Sequence, residues 1–591
     1  MSDPLWKKNY PVDIDWNQDI ETGALFDLID EAAEKYPNRP AIKFFGRQWT
    51  YQEIKELTDK AAKGFQDMGV KKGTKVALIL PNSPYYLVNY FGILKAGGTV
   101  VNMNPLYSAD EMTPILEDSE AEIIVSFPKP NIAKNVKKAA KNVGIKKFVN
   151  CPMTSMVPSS YGKSLKGIQK LGFPVLRFYF KHVDRLINIF AKNKISFNKL
   201  VSNNGKYKPV EINPEEDIAL FQFTSGTTGR AKAVMLTHEN LTANVSQSNA
   251  WFKTVEPGKD KMLAVIPFFH VLAMTVGMNL SIKNGMEIIA HPEPIIENIV
   301  KSIDEDKPTH MIGIPQLYSK VMGYEELNSY NLNSLKFCLS GGGPLAPATK
   351  ENFEKITGCD LVEGYGLSEA SPVVTCTPIG GLSKAGSIGL PMPGTDVQLR
   401  DPANGNEIKD ANKRGEICVK GRQVMKGYFN NKAATDETMY SDNYLRTGDV
   451  ATMDEDGYFF IVDRIKNLII SRGNNVYPAE VEKAIYGHNA VEECIVLGLP
   501  DEKRGERVTA FIKLKDGKEL TEEGLTKFLN GKLAPYKMPK QVEFETEPLP
   551  TNATGKHLPK EMRRIYDERQ KEPKAAANQN KPQKRLRHFR A

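Results

Sequence analysis

The chain has 591 residues, 41% of them hydrophobic and 25% charged, with a formal net charge of +8. This length exceeds one ordinary core and implies two or more domains, and the composition is that of a soluble globular protein. No apolar run approaches the ~20 residues of a membrane span, and the N-terminus lacks the apolar core of a signal peptide. Six scattered cysteines without CxxC spacing point to reduced thiols in a cytoplasmic protein. The mild charge, partly gathered at the C-terminal end, gives no sign of a nucleic-acid partner.

In chain order, residues 75–80 read as a buried strand, 85–95 as a helix, 99–102 as a second strand, 109–117 as a helix and 121–126 as a third strand. This βαβ rhythm implies mostly parallel sheets covered by helices. It continues through 262–267, 286–290, 310–314 and 334–340. Between 156 and 207 the rhythm is interrupted. There Leu176, Tyr179, Phe180, Val183, Leu186, Ile187 and Phe190 share one helical face, opposite Arg177, Lys181, Arg185, Asn188 and Lys192. Such a basic amphipathic helix either lies on an anionic membrane or packs its apolar side on the host domain. From about 386 short, turn-rich strands take over, and past 463 comes a small α+β unit with helices near 479–486 and 522–529. The fold expected is α/β plus small α+β: a large N-terminal domain (1–463) of parallel-type sheets with a β-rich subdomain, a small mobile C-terminal domain (464–565), and a basic, unstructured tail (566–591).

The run Phe223-Thr224-Ser225-Gly226-Thr227-Thr228-Gly229-Arg230-Ala231-Lys232 follows the strand-like Ile218-Ala219-Leu220-Phe221-Gln222. Glycines let backbone N–H groups approach a phosphate, hydroxyls add donors and Lys232 supplies the counter-charge. The GxxxxGK[ST] spacing of a P-loop is absent. Further on, Ser340-Gly341-Gly342-Gly343 follows a strand, where a glycine turn lets a flat ring lie against the backbone. In Tyr365-Gly366-Leu367-Ser368-Glu369, Tyr365 offers an aromatic face, Ser368 a phosphate contact and Glu369 a carboxylate for Mg2+. Asp449, in Arg446-Thr447-Gly448-Asp449, can accept both hydroxyls of a ribose or merely cap its turn. Arg464 suits a phosphate or the ribose edge, or a plain surface ion pair. Gly473 would let a narrow thiol-bearing chain pass the backbone. Lys556, after Asn552-Ala553-Thr554-Gly555, is either a partner for a carboxylate and the α-phosphate or a solvated lysine.

Taken in order, these stretches resemble the adenylate-forming enzymes (acyl-CoA synthetases, luciferases, peptide-synthetase adenylation domains) over roughly residues 19–564. They look most like bacterial-type long-chain fatty acyl-CoA ligases. The resemblance implies ATP, Mg2+ and coenzyme A as cofactor and co-substrates and a fatty acid as substrate. It implies that Thr224, Ser225, Gly226, Thr227, Thr228, Gly229 and Lys232 hold the β- and γ-phosphates. Gly342, Gly343 and Tyr365 would hold adenine, Ser368 the α-phosphate region, Asp449 and Arg464 the ribose, and Glu369 and Thr224 the metal. Lys556, His270 and Glu369 would be catalytic, with His270 at the entrance of the acyl site, Lys466 at the hinge of a rotating C-terminal domain and Gly473 beside the CoA arm. The acyl pocket is expected along 310–315, where the small Gly313 favours a long tunnel, and along the loop after Glu369.

Three departures stand out: Ala231 and Ala233 flank Lys232 where the family has proline and glycine, and Pro559 delays or ends a basic helix after Lys556. Alternatives to a long-chain ligase are a medium-chain or aryl acid:CoA ligase, a luciferase-like oxygenase, or an idle acyl-adenylate- or lipid-binding homologue. Peripheral contact with the inner face of an anionic membrane and a homodimer are both compatible with the sequence.

Overall fold

Two large sheets form the body of the protein, both parallel at their centres, one antiparallel at both margins and the other at one margin only. The computed structural model describes residues 4–152, 156, 194–224, 231–472, 474–501, 503–551 and 557–579, without the side chains of 475 and 571–579. The amphipathic face at 176–192 therefore lies outside the described residues.

In one sheet Lys75–Ile79, Thr99–Asn102, Ile123–Ser126 and Ile218–Thr224 run parallel. The hairpin partner Lys232–Thr237 and the short edge strand Gly427–Tyr428 then add antiparallel. In the other sheet Lys261–Ala264, His310–Gly313, Phe337–Gly341 and Asp360–Gly366 are parallel, and Val373–Cys376 reverses direction beside Asp360–Gly366. The helix Pro84–Lys95 between these layers is buried over all twelve residues, so it is apolar all round rather than on one stripe. Its one charged residue, Lys95, is held at 2.5 Å by Asp30 and 2.6 Å by Asp59, the pairing that a buried ammonium requires.

A third, five-stranded antiparallel sheet includes Asp396–Arg400, Arg414–Lys420, Leu445–Met453 and Phe459–Arg464. It is the β-rich region expected from the turn-rich sequence. A fourth sheet with the helices Pro478–Tyr486 and Glu522–Leu529 makes the small C-terminal α+β unit, with its own apolar core. The six cysteines are buried and unpaired. No helix among the described residues is long and apolar enough to cross a membrane.

Three expectations change. Pro559 opens a helix that runs to Gln579, into the stretch expected to be unstructured. Proline is tolerated at a first helical turn. Met562 is buried with Ile565 and Tyr566 packed beside it, and Arg569 grips Glu545 at 2.7 and 2.8 Å, which anchors the helix to the C-terminal sheet. Ala233 lies in extended backbone within Lys232–Thr237, opposite Phe223, so its position needs no glycine. Gly313 opens no tunnel: a Cβ there would stand 2.8 Å from the ring of Tyr318, which fills the space.

Candidate active site

A single cleft of about 3440 Å³ is bounded by all three N-terminal sheets and the C-terminal unit. Its polar wall starts at the hairpin, where Thr224 and Lys232 are cross-strand partners closing the base of the hydroxyl- and glycine-rich loop. The loop residues Ser225, Gly226, Thr227, Thr228 and Gly229 lie outside the described residues, as do Gly473 and Lys556. The Lys232 ammonium stands 4.7 Å over the ring of Tyr428. Tyr428 reaches this position because the edge strand Gly427–Tyr428 pairs with Met235 and Val234 of the hairpin. Its hydroxyl donates to Oε1 of Glu369 at 2.8 Å, while the Met425 N–H donates to the Glu369 carbonyl at 2.8 Å. Burial, and then the Glu369 carboxylate, push the Tyr428 phenol above its ordinary pKa.

Glu369 sits on the short turn Ser368–Ala370 just past the strand Asp360–Gly366, which also carries Tyr365. The Tyr365 hydroxyl donates to Oδ2 of buried Asp449 at 2.8 Å, and Arg464 Nε meets Oδ1 at 2.9 Å. Asp449 and Arg464 are direct partners across antiparallel strands, so the sheet register sets this contact. Beneath them buried Glu416 accepts the Gly448 N–H at 3.1 Å and pairs with Arg446 at 3.0 Å. That fixes the Thr447-Gly448-Asp449 stretch of the strand, where the register against Arg414–Lys420 shifts and Gly448 takes φ +71°.

The glycine turn follows Phe337–Gly341. Gly342 takes φ +81°, a region that strains residues bearing a Cβ. Glu363 accepts the Leu345 N–H at 3.2 Å and so ties this turn to the neighbouring strand. Burial pushes its carboxyl up to about 7, against the pull of that N–H and of Lys350. His270 has its side chain open to the cleft beside Phe269, and the surrounding protein holds its pKa below the ordinary value. Leu106, Phe127, Phe223, Val265 and Phe269 add apolar lining to the cleft, with Ile314 contributed by the 310–315 stretch and Pro372 and Val373 by the loop after Glu369.

At the far wall, buried Asp463 accepts the Ala479 N–H at 2.7 Å, joining the third sheet to the first turn of Pro478–Tyr486. Burial raises its pKa, and burial followed by Arg464 lowers that of Lys466. Arg414 pairs with Glu480 and lies 4.9 Å over the Tyr477 ring. His557 and Glu561, which follow Lys556 in sequence, line the cleft.

The family described as "AMP-binding enzyme" matches residues 29–429, about two thirds of the chain. The chain belongs to the AMP-binding enzyme family. The family's C-terminal domain matches residues 480–556. Among curated relatives, a long-chain-fatty-acid–CoA ligase of Bacillus subtilis (strain 168) is 41% identical, covering 96% of this chain and 98% of the relative. The enzyme of that name from Salmonella typhimurium is 36% identical, covering 95% and 98%. Among solved structures, ATP-bound MatB from Rhodopseudomonas palustris superposes with a TM-score of 0.79 at 26% identity, covering 92% of this chain and 99% of the other. A Mycobacterium tuberculosis fatty acyl CoA synthetase superposes with a TM-score of 0.70 at 27% identity, covering 92% and 98%.

In this AMP-binding enzyme the described candidates converge: Thr224, Lys232, His270, Gly342, Gly343, Tyr365, Ser368, Glu369, Asp449 and Arg464 all line the cleft. Four residues of the site were missed from sequence: Tyr428, Glu416, Glu363 and Asp463. Glu363 and Asp463 each sit within two residues of a recognised position and could have been flagged. Tyr428 and Glu416 are far in sequence from the side chains they hold and carried no local signal.

Proposed function

We propose that the protein activates a long-chain fatty acid with ATP, forming acyl-AMP and pyrophosphate, and then passes the acyl group to CoA. One observation carries this reading. Asp449, Tyr365 and Arg464 form one polar cluster of the cleft and Lys232, Tyr428 and Glu369 another, while Phe127, Phe223, Val265 and Phe269 add apolar lining. The names of the relatives support a fatty acid as the carboxylate.

In the first step a fatty carboxylate oxygen attacks the α-phosphorus, and the bond to the bridging oxygen breaks as pyrophosphate leaves. In the second, the CoA thiolate attacks the acyl carbon and the C–O bond to AMP breaks. Activation is needed because a free carboxylate has no adequate leaving group for thiol attack. Asp449 would take the ribose hydroxyls, with Arg464 beside them. Gly342, Gly343 and Tyr365 would pack on adenine, and Ser368 would contact the α-phosphate region. Thr224, the Ser225–Gly229 loop and Lys232 would hold the β- and γ-phosphates. Lys556 would stabilise charge developing on the α-phosphate as the first bond forms. His270, whose pKa the surrounding protein holds below the ordinary value, would orient the carboxylate at the mouth of an acyl arm lined by those apolar side chains. Each methylene buried in that arm adds about 0.8 kcal/mol, which favours long chains.

Among the described residues no three His, Cys, Asp or Glu side chains converge as a metal cage. One carboxylate together with substrate phosphates and water is the donor set Mg2+ ordinarily takes. Glu369, with Thr224, would hold it there, where it would neutralise phosphate charge. The reading includes a body of residues 1–463 and a C-terminal domain of residues 464–565 that rotates about Lys466, withdrawing Lys556 and presenting Gly473 to CoA. The basic amphipathic pattern at 176–192 supports peripheral contact with anionic membrane, and deleting 173–192 is expected to weaken binding to phosphatidylserine vesicles in a flotation assay.

The test is pyrophosphate release from MgATP with acids from acetate to oleate, with and without CoA. Release that peaks with long chains, with acyl-CoA formed only when CoA is present, supports the proposal. A peak at medium-chain or aryl acids, or no release with any acid, refutes it.

A further inference from the structure

Lys232 and Glu369 carry opposite charges in one cleft, and Tyr428 contacts both. The Lys232 ammonium lies 4.7 Å over the ring, and the carboxylate accepts the hydroxyl at 2.8 Å. Opposite charges near one another in a cleft attract. Left alone they would collapse into an ion pair and leave neither free for a triphosphate or its cation. A phenol ring prevents this with one side chain, because its face attracts a cation and its hydroxyl donates to an anion.

The backbone around Tyr428 is built to hold that ring still. Lys426 N–H donates to Met235 and Phe429 N–H to Ala233, on either side of the tyrosine along the hairpin. The Tyr428 N–H donates to Thr435 Oγ1 at 2.9 Å. Gly427 takes φ +136°, and a Cβ there would meet Thr435 Cγ2 at 2.8 Å, so the chain turns into the cleft at a point where only glycine fits. The Met425 N–H on the Glu369 carbonyl ties the same segment to the backbone of the acid. Residues 425–429 thus fasten the hairpin of Lys232 to the turn of Glu369.

We infer that Tyr428 is a positioning residue for adenylation: it fixes the distance between Lys232 and Glu369 and keeps both charges available to the triphosphate and its divalent cation. The inference rests on the proposed roles of Lys232 and Glu369. The test measures binding with no fatty acid present, using Mn2+ as a spin probe for the cation and calorimetry for the nucleotide. Y428F keeps the ring and removes only the hydroxyl, and Y428L removes both contacts. Y428F is expected to weaken Mn2+ binding in the ATP complex about tenfold, the worth of one hydrogen bond to a charged group, with an unchanged melting temperature. Y428L is expected to weaken it further and to weaken ATP binding as well. In an E369Q background Y428F should add less than twofold, since the charged partner is gone. Wild-type Mn2+ affinity in Y428F alongside weak affinity in E369Q overturns the inference and leaves the roles of Lys232 and Glu369 standing. Wild-type affinity in both E369Q and K232M overturns those roles, and the inference with them.

Discussion

The Tyr365 hydroxyl donates to Asp449 at 2.8 Å across two different sheets. The strand Asp360–Gly366 belongs to one of the large sheets and Leu445–Met453 to the β-rich sheet, so this bond fixes one wall of the cleft against the other. Asp449 is buried and also carries Arg464 at 2.9 Å, so these two contacts orient its carboxylate.

Replacing Asp449 by Asn removes the charge and keeps the shape. The D449N variant is expected to raise the KM for ATP about tenfold to a hundredfold, the cost of one hydrogen bond to a charged group at about 1.5–3 kcal/mol. Initial rates over an ATP series check this, and an unchanged KM would remove Asp449 from nucleotide binding.

Lys556 is expected to serve only the first half-reaction. K556A should lose acyl-AMP formation by a factor of about 10²–10³, the scale of one lost electrostatic donor. It should still convert supplied acyl-AMP and CoA at close to the wild-type rate. Rapid-quench assays of each half-reaction separate the two, and equal loss in both would contradict the rotating-domain account.

Stability of the C-terminal unit should fall with rising pH. Glu482 accepts the Val496 N–H at 2.8 Å, and burial, with Asp463 nearby, pushes its carboxyl up to about 7. A carboxyl whose folded pKa is raised binds its proton more tightly folded than unfolded. Its contribution is therefore full below the unfolded value near 4.5 and is lost as pH rises through 7. E482Q, which still offers an oxygen to Val496, should match the wild type at pH 5 and exceed it at pH 8 by about 1–3 kcal/mol. Urea unfolding at the two pH values decides this, and parallel curves would place the Glu482 titration elsewhere.

Ala233 should not limit the reaction. It is extended and buried opposite Phe223, so A233G gains no backbone geometry and costs about 0.5–1 kcal/mol in conformational entropy. Pyrophosphate release by A233G at or below the wild-type rate is expected, and a clear acceleration would show that the hairpin base is strained by the methyl group.

Local pattern determined a good deal of this protein. The expected helix at 85–95 forms as Pro84–Lys95, and that at 479–486 as Pro478–Tyr486, because a continuous apolar run in the first, an apolar stripe in the second and proline-led first turns in both act within a few residues. The hairpin of Thr224 and Lys232, Gly342, Tyr365, Glu369, Asp449 and Arg464, which line the cleft, could be singled out because each sits in a short run of distinctive residue types. Tertiary structure alone decided what those residues touch. Tyr428 reaches Glu369 across 59 positions through the pairing of an edge strand with the hairpin, and Glu416 supports Gly448 across 32 through strand register. Gly313, whose small size suggested an open tunnel, is filled by Tyr318 because only the folded packing shows which neighbour occupies a missing side chain. Secondary structure and loop chemistry follow from neighbours in sequence, whereas sheet order and register follow from the burial of the whole chain, and the spacing of charges in this cleft is set by the latter.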